Sequence, residues 1–458
     1  MSLEFEFIQV AMGLREQLSA APSVNEWQTL FEFCKRQSLL GIGFAAVEKL
    51  HKVGMECPST IRLQWYGYAL KIERMNEKLN MQCDEISKRY EHDGLRCCIL
   101  KGQGNLLYYP EILRMRRTPG DIDLWAIQIN DEGLRIKNEG LRIKNEGLRI
   151  KDEGLRIKDE GLRIKDEGLK IKDEGLKIKD EGIDYVKYHG RRAVREYVRM
   201  QYRLQGIDAK PKACYHHIEA PSMDGTEVEV HYRPAFLRSP LRNWRMQRWF
   251  EHHADECMNN KTHLGFSMMT SSVNVVYQMC HLFTHIFEGG IGLRQLMDYY
   301  FTLRVWHNDV MECNDLQSQG MWSEGHGTPV MAKEEVMGVI RSFGMAKFAG
   351  AVMYVLHEVF DLPTQLSMND ERSRMKDYPW LLCEPNEKEG KKLLSEIMQG
   401  GNFGQYDIRD AALKKGGMIK HGLWKLKRVM RLISSYPEEA LWEPVFRVYH
   451  LGCRMILN

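Results

Sequence analysis

The sequence predicts an α+β protein: a small sheet, mixed or antiparallel, set between helical N-terminal and C-terminal parts. Three observations point there. Residues 1–92, and those from about 240 onward, place apolar side chains at helical spacing. Between them lie four short runs with strand patterning: 95–100, the stretch opening at Asp121, 214–219 and 227–231. A seven-residue repeat fills 131–182 and separates the first two runs from the last two. The expected organisation is a helical region 1–92, a core 93–240 interrupted by the 131–182 insertion, and a helical region 241–458.

In the first region Trp27, Leu30, Phe31 and Cys34 recur at helical spacing, with Asn25 placed to cap that helix. A longer amphipathic helix is expected over 61–90, with Trp65, Ala69, Ile72 and Met75 on one stripe and Asp93-Gly94 as its stop. Neither segment carries visible chemistry. The run 95–100, LRCCIL, reads as a buried strand with at least one of Cys97 and Cys98 in the core. A brief helix over 103–109 closes at Pro110. A basic segment with Arg114, Arg116 and Arg117 follows, and Thr118-Pro119-Gly120 turns the chain into an acidic strand.

The repeat unit is GLRIKDE, with glycines every seventh residue from Gly133 to Gly182. A period of seven suggests a coiled coil, but Leu and Ile sit two apart, about 200° around a helix, and make no single seam. Each internal glycine would cost a helix about 1 kcal/mol as well. The spacing suits very short strands instead, each burying one Leu and one Ile. A solvated, poorly ordered or marginally structured insertion is expected. It holds 14 basic and 14 acidic residues, so it adds no net charge.

After the insertion, 191–204 reads as an amphipathic helix, 214–219 as a strand and 222–225 as a turn. The segment 227–231 alternates strictly: Glu227, Glu229 and His231 share one face, Val228 and Val230 the other. Helices are expected over 273–287, 293–305, 334–343 and 346–360, and as a pair across Tyr436-Pro437, with breaks at Gly289-Gly290 and Gly400-Gly401. His281 and His285 stand one turn apart with Asp298 on the next helix. No third strong ligand is evident, so the reading there is a packing network rather than a metal pair.

Composition narrows the class. At 43% hydrophobic and 28% charged, the 458 residues match an ordinary globular protein with room for two or three domains. A net charge of +3 is too small to argue for a nucleic-acid partner. The basic run 414–431 with Trp424 could grip a polyanion, but a solvated helix face is the commoner outcome. No stretch of 18 apolar residues suggests a membrane span. The N-terminus is acidic where a signal peptide would be basic. Eleven cysteines without CxxC or zinc-type spacing fit a reducing compartment, so the cytoplasm is expected.

The chemistry concentrates at Asp121 and Asp123. On a strand, side chains two apart face the same way, so both carboxylates point together while Ile122 and Leu124 face a core. Two carboxylates this close repel unless a cation lies between them, and a hard ion such as Mg²⁺ fits. Antiparallel pairing with 227–231 would add a third carboxylate.

The segments LKGQGNLLYYPEILRMRRTPGDIDLW, EVEVHYRP and HLFTHIFEGGIGLRQLMDYY resemble the uncharacterised nucleotidyltransferase family of bacteria, within the DNA polymerase β-like superfamily. The resemblance implies a small nucleotidyltransferase sheet with flanking helices. It implies transfer of a nucleoside monophosphate from an NTP to an unknown acceptor (a small molecule, a glycan precursor or a protein) by in-line displacement with Mg²⁺ or Mn²⁺. Asp121, Asp123 and Glu229 would then be the metal ligands, with Glu227 as substitute. Lys101, Gly102, Gly104, Arg116, Arg117 and His231 would meet the nucleotide, with structural salt bridges as the alternative for the two arginines and a satisfied structural position as the alternative for His231. The superfamily usually carries a Gly-Gly or Gly-Ser pair before the first aspartate; this chain has Lys101-Gly102 and then Gly104. That departure supports an alternative, a nucleotide-binding or regulatory module without catalysis. A nucleic-acid-modifying enzyme is the weaker alternative.

Overall fold

The computed structural model describes residues 2–128, 134–137, 176–180, 183–318, 330–362, 381–409 and 417–458. The chain opens with helices α1 (Leu3–Met12), α2 (Val24–Arg36), α3 (Leu40–Lys52) and α4 (Ser59–His92). Strand β1 (Leu95–Ile99) follows, then two single-turn helices, α5 (Gln103–Leu106) and α6 (Glu111–Arg114), and strand β2 (Ile122–Gln128). The ends of the repeat contribute β3 (Leu134–Lys137) and β4 (Leu176–Asp180), which pair antiparallel with β5 (Ile183–Tyr188) in the order β3-β5-β4. The Leu-x-Ile copies at both ends of the repeat therefore take the short-strand form; the expectation of poor order across 138–175 lies outside the described residues. Helix α7 (Gly190–Leu204) leads to β6 (His217–Met223) and β7 (Thr226–His231).

The remaining chain is helical: α8 (Pro240–His252), α9 (Ala254–Asn259), α10 (Ser271–Glu288), α11 (Leu293–Ser318), α12 (Lys333–Ser342), α13 (Ala346–Phe360), α14 (Glu387–Gly400), α15 (Met418–Ile433) and α16 (Pro437–Leu457). The protein is α+β, and no described helix is long and apolar enough to cross a membrane.

The main sheet has the order β1-β2-β7-β6. β1 and β6 pair antiparallel with their neighbours, but β2 and β7 run parallel, with Asp123 opposite Glu229. This corrects the antiparallel pairing expected from the sequence. A parallel pair needs a long crossover, commonly helical, and the chain between β2 and β7 supplies one through α7. β6 then returns to β7 through Asp224-Gly225, both at positive φ (48° and 77°), the two-residue turn whose twist matches a hairpin.

The sheet is packed on both faces. Ile122, Leu124, Val228 and Val230 join α4 and α7 in one core; Cys98, Leu100 and Trp125 join a second with the N- and C-terminal helices. Cys97 and Cys98, adjacent on β1, thus enter opposite cores.

Several local readings shift. Helix α2 is capped by Ser23, not Asn25: Ser23 and Glu26 form a reciprocal capping box. On α4 the buried stripe runs through Trp65, Ala69, Ile72 and Asn76, while Met75 is exposed. Asn76 holds the core position because its amide donates to Met115 O and Arg117 O, both at 2.8 Å, which ties down the loop before Asp121. Strand β6 starts three residues later than expected. Cys214 N donates to His217 O (2.9 Å), so 214–217 form a tight turn before the ladder begins.

Candidate active site

Asp123 sits one residue inside β2, fully buried, and Asp121 just outside it, partly exposed. The parallel register sets Glu229 beside Asp123, and ligand atoms of Asp121, Asp123 and Glu229 lie within 4.8 Å of one another. Sequence reasoning placed these three together; the structure brings them together from two strands. Glu227 is exposed and joins no such set among the described residues.

Two cationic groups hold the trio. Lys101, in the turn after β1, puts Nζ 3.2 Å from Asp123 and 3.8 Å from Asp121. His231 puts Nε2 3.0 Å from Asp123 Oδ1 and 3.5 Å from Glu229. Burial pushes the His231 imidazolium down, but its hydrogen bonds to Asp123 and Glu229 and their charges win, lifting its pKa to about 9. Burial would raise Glu229; the bond to His231 and the nearby cations hold it at about 2 instead. Asp123 is lowered too, by the Lys101 charge and the His231 bond acting against burial. For Lys101 the carboxylates outweigh burial and raise its pKa. His217 differs: burial first, then the His231 charge, drive it down to about 4, so it is neutral at pH 7.

The glycines ahead of Asp121 have structural duties. Gly102 has φ +61°, a backbone state that favours glycine, and a Cβ on Gly104 would come within 2.6 Å of Ile99 O. The helix they start has only four residues, too short to bring a large aligned dipole to bear.

The arginines divide. Arg116 turns to Glu48 and Glu73, an ion-pair network on α3 and α4. Of the two expectations for this arginine, nucleotide contact and structural salt bridging, the structure shows the second. Arg117 is buried in a two-pronged pair with Asp298 on α11 (2.7 and 2.7 Å), which also accepts from Tyr109 (2.6 Å). Asp298 therefore serves packing, and among the described residues His281 and His285 join no metal-holding group; their rings contact each other at 4.3 Å.

Arg117, Asp298 and His281 nevertheless line a cleft that also includes Lys101, Gly102, Asp121 and Arg294. Arg294 is the residue sequence reasoning missed. Its Nη1 donates to Thr118 O (3.1 Å), and its buried Nε has no hydrogen-bond partner. Burial and then the Arg117 charge lower its pKa to about 10, so it stays cationic. Its place in GIGLRQLMD, between a double-glycine break and Asp298, was the available signal.

The sequence profile of a family described as uncharacterised nucleotidyltransferase matches residues 23–320, most of the chain and all of this site. The chain belongs to that family. No curated protein and no solved structure matches it. A nucleotidyltransferase acts on a nucleotide, generally with divalent metal, and the donors here suit one. Three carboxylates converge, and the buried Asp123 Oδ2 has no hydrogen-bond partner. The Lys101 ammonium, between Asp121 and Asp123, contacts the carboxylates that such an ion would use.

Proposed function

We propose that this nucleotidyltransferase moves a nucleoside monophosphate from an NTP to an acceptor (a small molecule, a glycan precursor or a protein), with Mg²⁺ or Mn²⁺ held by Asp121, Asp123 and Glu229. The observation that carries the reading is the in-register pairing of Asp123 and Glu229 on parallel β2 and β7, with Asp121 just ahead of β2 and all three within 4.8 Å of one another. The metal, when bound, supplies activation of the attacking hydroxyl and neutralisation of charge on the departing pyrophosphate.

The chain's own residues do the rest. His231 bridges Asp123 and Glu229 and fixes their orientation. Lys101 pivots from the aspartates to the phosphates as the nucleotide arrives, with Gly102 leaving its approach free of a side chain. Arg294 adds a positive charge to the cleft wall beside Asp121, where Arg117 is already paired with Asp298. Gly104 lets the turn pack against Ile99.

The test is incubation with each α-³²P-labelled NTP and Mg²⁺ or Mn²⁺, followed by separation of labelled products, for the native chain and the Asp121→Ala, Asp123→Ala variant. Transfer confined to the native chain supports the reading. Equal labelling by both rejects it.

A second reading is favoured by one observation, the Lys101 ion pairs with Asp121 and Asp123. If the lysine never yields to a metal, the site binds nucleotide without turning it over. Calorimetric NTP binding with no transfer under any metal would select that reading.

A further inference from the structure

The carboxylate trio is one end of a longer row of donors. Around Glu229 stand two imidazoles from adjacent strands, His231 on the side of Asp123 and His217 beyond it. The β6–β7 register pairs His217 with His231 directly, and their ring centroids are 5.3 Å apart. Glu229 Oε2 lies between them, 3.3 Å from His217 Nδ1 and 3.5 Å from His231 Nε2. All three donors lie within 4.8 Å of one another.

Those spacings can be compared with the shell of a metal ion. With zinc–nitrogen and zinc–oxygen bonds of about 2.0–2.2 Å, neighbouring donors of a tetrahedral shell stand about 3.4 Å apart. The two Glu229 distances fall on that edge without moving a side chain, and the ion would take the place of the proton that His231 Nε2 otherwise shares with Asp123 and Glu229. Two imidazole nitrogens and one carboxylate oxygen are also the donor chemistry of zinc and its neighbours rather than of Mg²⁺, which prefers oxygen throughout. Three protein donors leave a fourth position for water or substrate, as catalytic rather than structural zinc sites do. Asp123 Oδ1, 3.0 Å from His231 Nε2, stands at the rim of the same shell.

A competing grouping extends the row the other way, through Cys214, His216 and His217. There His216 meets Cys214 through Nδ1 (3.5 Å) and His217 through Nε2 (3.0 Å). That group has no carboxylate and competes for the same His217 Nδ1 that faces Glu229, so the Cys214→Ser variant separates the two groupings.

We propose that His217, Glu229 and His231 form a binding site for a borderline divalent transition ion, of which Zn²⁺ is the type, joined through Glu229 to the all-oxygen Asp121–Asp123 end. This rests on the reading of Glu229 as a ligand, but not on nucleotide transfer.

The test is a zinc titration of the full chain, stripped with chelator, against a colorimetric zinc indicator in excess Mg²⁺ and without nucleotide. One equivalent of Zn²⁺ that Mg²⁺ does not displace is expected. His217→Gln and His231→Gln should each weaken it at least about tenfold, while Cys214→Ser leaves it unchanged, with far-UV circular dichroism showing that each variant is folded. Co²⁺ in place of Zn²⁺ should give tetrahedral visible bands without a thiolate charge-transfer band. Zinc affinity no better than that of the two histidine variants would overturn the proposal. So would loss in Cys214→Ser with retention in His231→Gln. A chain that transfers nucleotide without binding zinc refutes only this proposal; one that binds zinc without transfer refutes only the transferase reading.

Discussion

Asp298→Ala should be among the most damaging single changes in the protein. Arg117 and Asp298 expose only 5% and 6% of their side chains, so neither can turn to water once its partner is gone. Breaking a buried pair in this way costs about 3–5 kcal/mol, because the surviving charge is left uncompensated. The upper half of that range is expected, since Tyr109 loses its acceptor as well, a penalty of about 1–3 kcal/mol for a buried hydroxyl. Arg294, close enough for its charge to be felt by Arg117, would then face it without the shared carboxylate. Both guanidinium groups also donate to Thr118 O, so the turn that delivers Asp121 loses its clamp. The assay is urea unfolding followed by circular dichroism for the native chain, Asp298→Ala and the apolar replacement Arg117→Met with Asp298→Leu. The double variant should lie closer to native than the single one, because the Arg117 charge is removed along with its partner and Arg294 is the only charge to lose the shared carboxylate. A loss below about 1 kcal/mol in Asp298→Ala, the scale of an exposed pair, would refute the reasoning.

Two other perturbations probe separate features. Gly104→Ala would drive a Cβ to within 2.6 Å of Ile99 O, so it should lose about 1–3 kcal/mol, read as a lowered thermal midpoint. Glu389, 4% exposed, receives hydrogen bonds from Ser435 (2.6 Å) and Lys392 (3.1 Å) and an ion pair with Lys347 (3.2 Å). Burial raises its pKa, those partners outweigh it, and the folded value lies below the ordinary one of 4.5. Its contribution to stability is therefore complete above the unfolded-state value and is lost as pH falls through the folded one. Midpoints measured from pH 7 down to pH 3 should converge between the native chain and Glu389→Gln at the acid end; a constant gap across that range would contradict the assignment.

The sequence carried most of what positions the site, and the exceptions have identifiable causes. The Asp-x-Asp and Glu-x-Glu-x-His alternations placed their side chains on single strand faces, because that periodicity is local. Whether β2 and β7 run parallel is not local; it depends on the crossover through α7, and only the folded chain reveals it. Met75 fits the α4 stripe by both helical spacing and hydrophobicity, yet it is exposed. The buried position went to Asn76 because its amide satisfies two loop carbonyls, a partnership between residues about 40 positions apart. Arg116 was legible as a cation near the acidic strand, but Glu48 and Glu73, which claim it, lie far away in sequence. Lys101 was expected to meet phosphate; in the fold it lies against the aspartates, which are distant in sequence and adjacent only through the β1–β2 pairing. His217 gained weight only once β6 proved to start at that residue and set it opposite His231.

The convergence of Asp121, Asp123 and Glu229 on a shared cation is tested most directly by Mn²⁺ binding, followed through water-proton relaxation, in the native chain and in Asp123→Asn and Glu229→Gln. Each variant should bind Mn²⁺ at least about tenfold more weakly than the native chain, and added NTP should tighten native binding alone. Equal Mn²⁺ affinity in all three proteins, with or without NTP, would contradict the metal-holding role of the strand pair on which the transferase reading stands.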